Sequence, residues 1–268
     1  MAVLVASVIL VSAALGMLPG DGTWLSRTTA LVTTAVTFQF TYSSLAHEDV
    51  LVATADAALL SLAIVAATAA LLLLIGVPLG VLSARRPDSR LVQSVRRVTG
   101  TLSSLPVLFW STLIFVAFAR SIGISLHGGI NTLSALVAAV VALLLGDRVL
   151  VDMVQRVALC TQEILAEPYM RTVRADALGF RRHLLQSLVP PVADTIASRS
   201  MFLIGGAIVA ERVFEINGLG FMVIKALLQP DDEHQLILAA SMALVCIGIL
   251  LRVVSRTASQ LADPRRGS

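Results

Sequence analysis

EPYMRTVRADALGFRRHLLQSLVPP, from Glu167 to Pro191, is the longest charged, helix-capable stretch in a chain that is otherwise nearly all apolar. Long uncharged runs precede it, and two more, containing Ala207 and Leu244, follow it. Charges at this density are expensive to bury in hydrocarbon, so a helix formed here has to lie outside the lipid. The flanking runs have to cross it. An all-α integral membrane protein follows, with one polar helix left at its surface.

Composition agrees. Of 268 residues, 57% are hydrophobic and 14% charged, where a soluble domain carries roughly 25% charged residues. Mean hydropathy is +0.88. The apolar runs are long enough to cross about 30 Å as helices, unlike the ~10-residue alternating strands of an outer-membrane barrel. Cys160 and Cys246 are too few and too far apart for a disulfide framework or a zinc site.

Working outward, Ala2–Leu18 is apolar and just long enough to span, and no positive charge precedes it as a signal peptide would require. It is read as an uncleaved first helix. Thr28–Ala46 is uncharged but rich in Thr and Ser, which suits an interfacial or extracytoplasmic segment better than a lipid-facing helix. Ala57–Leu82 is the clearest span, with Pro78 and Gly80 near its end. Further spans are expected at about Leu102–Phe118, Thr132–Gly146, Met201–Ala210 and Leu236–Leu251, which makes six.

With the N-terminus inside, all but four of the 20 basic residues fall in loops 83–97 and 147–199 and the C-terminal tail. The exceptions are Arg27, Arg120, Arg212 and Lys225. Both termini are therefore expected in the cytoplasm. If Thr28–Ala46 also crossed, the count would be seven and the N-terminus would move outside. The expected division is residues 1–56, a first helix and extracytoplasmic segment, and 57–268, a five-helix core with a polar loop at about 167–191.

Motif chemistry is mostly absent. Lys225 is the single lysine, so no P-loop lysine exists, and neither H-E-x-x-H nor G-x-S-x-G occurs. His47, His127, His183 and His234 are scattered and read as solvated or hydrogen-bonded side chains. No catalytic residue, metal site or resident cofactor is expected, and the chain is not read as an enzyme.

The polar segment itself has helix punctuation. Pro168 suits a first turn, Glu167 suits its positive end, and Gly179 is placed to end it ahead of Arg181 and Arg182. A helix of about 11 residues is too short to be stable alone in water. Tyr169, Val173 and Ala177 recur at spacing four and form a face, with Arg171, Arg174 and Asp176 beside it. Spacing leaves two readings open: docking on a partner protein, or resting among lipid headgroups.

The segment Tyr169-Met170-Arg171-Thr172-Val173-Arg174-Ala175-Asp176-Ala177-Leu178-Gly179 resembles the EAA-type coupling loop of ABC importer permeases. More narrowly it resembles the dipeptide/oligopeptide/nickel permeases, which carry Lys where this chain has Asp176. The likeness continues at Pro78-Leu79-Gly80, at Ser104-Leu105-Pro106 with Phe109-Trp110, and at Glu211-Arg212-Val213-Phe214 with Gly218-Leu219-Gly220. It extends to Asp263-Pro264-Arg265, and to the first-helix exit Leu18-Pro19-Gly20-Asp21 of the B-type half.

The resemblance implies a six-helix type I ABC importer permease with a cytoplasmic coupling helix, in the bacterial inner membrane. It implies a second permease subunit, two cytoplasmic ATPase subunits that would hold ATP and Mg, and an extracytoplasmic binding protein. Peptide is the implied cargo, with nickel or another small solute as the alternative. An ATP-independent transporter or channel and a membrane scaffold are the competing classes. The coupling residues would be Tyr169 and Arg171 to Gly179.

Candidates for the pathway or gate are Phe109, Trp110, Glu211, Phe214, Gly218 and Gly220. For Glu211 two roles stand open, facing a vestibule or capping a helix. Asp56 is read as an interfacial anchor, and Asp231–Glu233 as ordinary surface charge.

Overall fold

From Val50 to Arg85 the chain runs as one helical span of 36 residues. At about 1.5 Å per residue that is roughly 54 Å, well beyond the ~30 Å of hydrocarbon, so its ends project into the interfaces. It comprises α3 (Val50–Leu71), a π turn (Leu72–Gly76) and α4 (Val77–Arg85). The wide turn falls just before Pro78, whose missing N–H and ring disrupt the regular ladder one turn upstream. Gly80 then lets α4 lie directly on the later helix that carries Val154, since a Cβ there would sit 2.9 Å from the Val154 carbonyl oxygen.

The computed structural model describes residues 2–16, 23–43, 46, 48–122, 132–168, 170, 177–228 and 233–262. Ahead of α3 come α1 (Ala2–Gly16), α2 (Trp24–Thr37) and a two-residue antiparallel pairing of β1 (Tyr42–Ser43) with β2 (Glu48–Asp49). After α4 come α5 (Arg90–Leu102), α6 (Val107–Ile122), α7 (Thr132–Leu145) and α8 (Val149–Ala166). The last three are α9 (Ala177–Val213), α10 (Leu219–Leu228) and α11 (His234–Ala262).

Among the described residues, three helices are long and apolar enough to cross a membrane, 50–85, 183–213 and 234–262. Two bent pairs raise the number to five: α5 with α6, at 95°, and α7 with α8, at 52°. The two bends are knitted together. The Arg148 N–H donates to the Ser103 carbonyl (3.1 Å) and the Asp147 N–H to that of Leu105 (3.3 Å). The Asp147 carboxylate accepts from the Val107 N–H (3.4 Å) at the start of α6. The expected sixth span falls on α1, which at 15 residues is a shorter apolar helix.

Three expectations change. Thr28–Ala46 is not one segment: the 14-residue α2 takes its first part, and its threonines return their hydroxyls to carbonyls one turn back, as Thr28 does to Trp24 (2.9 Å). The span expected at Met201–Ala210 is not a separate helix; it is the far end of the 37-residue α9, which runs through Pro190 and Pro191. Buried Leu184, Leu188, Val192 and Ala193 on both sides of the prolines hold the helix in register by packing. The last helix likewise passes Leu251 and carries Arg252 and Arg256 with it.

The main core, which includes Ile64, Leu72, Leu143, Met153, Leu188 and Leu203, lies between α3, α7, α8 and α9. Large apolar side chains such as Leu59, Leu74, Leu133 and Met201 point outward, as they must on a surface that faces lipid or other subunits. Arg199 of α9 pairs with Asp152 of α8, which also lies 4.0 Å from Arg148. Residues 149–166 and 177–199 are thus packed helix and not loop.

Candidate functional site

Where α9 ends, the chain reverses. Glu215 takes a left-handed conformation (φ 53°) just past the last helical residue, and buried Ile216 follows it, an arrangement that closes helix ends generally. The Ile216 N–H returns to the Glu211 carbonyl (2.9 Å), and Gly218 leads into the short helix α10.

Glu211 sits at the centre of this reversal with 1% exposure. Its carboxylate accepts from the Gly220 N–H (2.8 Å) and the Phe221 N–H (3.3 Å), the open donors at the start of α10. The Ser61 hydroxyl of α3 donates to its other oxygen (2.6 Å) and accepts from the Leu219 N–H (2.8 Å). One carboxylate thus binds the positive end of α10 and, through Ser61, ties it to α3. Glycines make room for it. A Cβ on Gly218 would run into the Glu211 carboxylate, and one on Gly220 would reach the Ile208 side chain at 2.8 Å.

Four of the six pathway candidates are therefore brought together in one knot: Glu211, Gly218, Gly220 and the buried Phe214, whose ring packs against Phe115 (6.3 Å). Of the two roles open to Glu211, the geometry selects the cap, and the helix capped is α10 rather than its own. Phe109 and Trp110 lie elsewhere, at the α5–α6 bend. The Trp110 indole N–H donates to the Leu102 carbonyl (2.9 Å), which makes it a brace for the corner, while Phe109 is exposed beside it.

Sequence reasoning missed Ser61. A lone serine in an apolar run has no signature until the fold sets it opposite Glu211. It also missed Asp147, whose capping role requires α6 and α7 to meet.

Against the other wall of this knot lies a cavity of about 330 Å³ between α3, α10 and α11, lined among others by Asp56, Asn217, Phe221 and Lys225. Asp56 is seven residues into α3 and not at its start. The Arg212 guanidinium stacks over the Phe221 ring (5.6 Å) and fixes that wall.

The polar segment is different. Tyr169 and residues 171–176 lie outside the described residues, so the expected contact face at Tyr169 and Val173, and Arg171, Thr172, Arg174, Ala175 and Asp176, have no structural description. Met170 is fully buried, its N–H bonded to the Glu167 carbonyl (3.1 Å). Ala177, Leu178 and Gly179 belong to the first turn of α9, so Gly179 does not stop a helix. The apolar stripe Leu184–Leu188–Val192 continues beyond it and outweighs the weak helix propensity of one glycine. Nearby, Arg85 of α4 stacks over Phe180 (5.2 Å), joining the ends of the two long spans.

Among the described residues no group of three His, Cys, Asp or Glu side chains is positioned to hold a metal ion. A polytopic helical membrane protein built from long, bent and broken spans is the class that this fold and site define. The chain belongs to the binding-protein-dependent transport system inner membrane component family, whose model matches residues 76–268.

Its relatives include the oligopeptide transport system permease protein AppB of Bacillus subtilis, 24% identical over 73% of this chain and 65% of the relative. A putative peptide permease protein of Brucella suis is 28% identical over 76% of this chain and 67% of its own length. The dipeptide transport system permease protein DppB of Bacillus subtilis is 25% identical over 71% and 62%. The chain thus spans about two thirds or less of the length of these relatives.

Proposed function

We propose that this chain is the permease half of an ATP-driven importer of di- or oligopeptides. The observation that carries the reading is the family match over residues 76–268 together with relatives named as peptide, oligopeptide and dipeptide permeases. The chain works with a second permease subunit, two cytoplasmic ATPase subunits that bind ATP and Mg, and an extracytoplasmic binding protein. Its termini are cytoplasmic, supported by the arginines clustered between Arg85 and Arg97 and in the tail.

It supplies a path and no fuel. The segment Tyr169–Gly179 seats against an ATPase subunit through Arg171, Arg174 and Ala175. From there the movement passes directly into α9, whose first turn contains Gly179 and whose far end carries Glu211. Coupling of this kind needs an element touched by the motor at one end and tied to the gate at the other. An unbroken 37-residue helix is such an element.

Uptake of a labelled dipeptide into proteoliposomes containing the complete transporter tests this. Arg174→Glu and Gly179→Leu should each lower ATP-dependent uptake at least tenfold while the subunits still co-purify. Wild-type uptake in both variants refutes the coupling assignment. Uptake driven by a proton gradient without ATP would replace the importer with a secondary transporter.

A further inference from the structure

The cavity beside the Glu211 knot holds opposite charges on facing helices. Asp56 comes from α3 and Lys225, the only lysine in the chain, from α10. Both are exposed, and among the described residues neither has an ion-pair or hydrogen-bond partner. Asn217 and an apolar floor that includes Leu60, Phe221 and Met222 line the same cavity. The relative placement of the two walls is set by the knot. Ser61 and Glu211 tie α10 to α3 next to Leu60 and five residues beyond Asp56, and Arg212 steadies Phe221. A carboxylate and an ammonium group held apart over an apolar floor match a small molecule that carries both an amine and a carboxylate.

We infer that this cavity is a binding site for a small zwitterion, with Asp56 receiving its ammonium group, Lys225 its carboxylate, and the apolar floor its side chain. A volume of about 330 Å³ lies at the lower end of small-molecule pockets, roughly 300–1,000 Å³. A dipeptide, at most about 7 Å long when extended, suits it better than a long peptide does. The position fits a transient stop. Asp56 lies about 9 Å into a helix that overshoots the hydrocarbon by roughly 24 Å, so both charges stay near the interface where desolvation is modest. The inference rests on the importer reading and adds to it a selective station within the permease itself.

Equilibrium binding of dialanine, dialaninamide and N-acetyl-dialanine to the purified complete transporter, without the binding protein, tests it. The wild type should bind dialanine at least tenfold more tightly than either capped form. Lys225→Gln should abolish discrimination against the amide, and Asp56→Asn discrimination against the acetylated form. Co-purification with the other subunits checks that each variant is assembled.

Equal binding of all three peptides by the wild type, or unchanged discrimination in the variants, overturns the site. If both single variants lose dialanine uptake but the swap Asp56→Lys with Lys225→Asp restores it, the two side chains serve each other as a gate latch, and the ligand assignment falls. Failure of the importer reading looks different: the wild type would then show no ATP-dependent dialanine uptake, whatever it binds.

Discussion

Glu211 shows how much one buried side chain decides here. An unpaired carboxylate at 1% exposure would be prohibitively costly, and this one is satisfied by two backbone N–H groups and a hydroxyl. Removing it leaves those donors without acceptors. Each buried orphan costs about 1–3 kcal/mol, so Glu211→Ala should destabilise the α10 anchor by roughly 3 kcal/mol or more. Faster amide exchange confined to Gly220, Phe221 and the rest of α10, together with a lower Tm, is the expected signature. Glu211→Gln keeps the volume and one acceptor and should fall between. Gly218→Ala should reproduce the alanine phenotype by a different route, since its methyl group would occupy the carboxylate's place. Intact α10 protection in Gly218→Ala would show that the turn yields more readily than the close packing implies.

Among the elements, the long span 50–85 depends on its π turn. That turn inserts the equivalent of one residue, which rotates everything after it by about 100° about the helix axis. The rotation brings Gly80 against Val157, where a Cβ would meet the Val157 Cβ at 2.6 Å. Gly80→Val should therefore cost at least the 1–3 kcal/mol typical of overpacking, because the backbone of α8 blocks the side chain's escape. Detergent-solubilised yield and Tm measure it; a variant as stable as wild type would mean that α4 and α8 can slide apart.

The bend between α5 and α6 is a second such device. Asp147→Ala removes the acceptor for the Val107 N–H and should cost about 1 kcal/mol, as loss of a helix cap does. Pro78 was a visible clue to the first device, because proline interrupts a helix wherever it falls. Nothing in the sequence marked Asp147, whose partner lies 40 residues away.

Across the whole molecule, α9 connects the polar segment to the short helix α10, and Arg199 near its middle pairs with Asp152 of α8. Both side chains are partly exposed, at 31% and 20%, so the pair is worth less than a fully buried one. Its removal should still be felt asymmetrically. Asp152→Asn leaves Arg199 facing a cluster without its carboxylate, and should lower Tm more than Asp152→Asn combined with Arg199→Gln. A double-mutant cycle with no coupling energy would show the pair to be incidental.

Hydropathy alone determined the solvent. Runs of apolar residues too long for soluble strands, and arginines gathered at one set of loops, identify a multi-span helical protein because the bilayer tolerates few alternatives. The family resemblance also marked Glu211, Phe214, Gly218 and Gly220, along with Phe109 and Trp110, as pathway candidates. What it left open was the role, vestibule or cap, and which side chains complete the site. Ser61, Asp56 and Lys225 are separated from Glu211 by anything from 14 to 155 positions, and only tertiary packing sets them around one turn. Helix continuity was the other undecided matter. Gly179, Pro190 and Pro191 each weaken a helix locally, yet α9 passes through all three, because burial of one face from Leu184 to Ala210 outweighs the loss of a few backbone bonds, a sum that no local window contains.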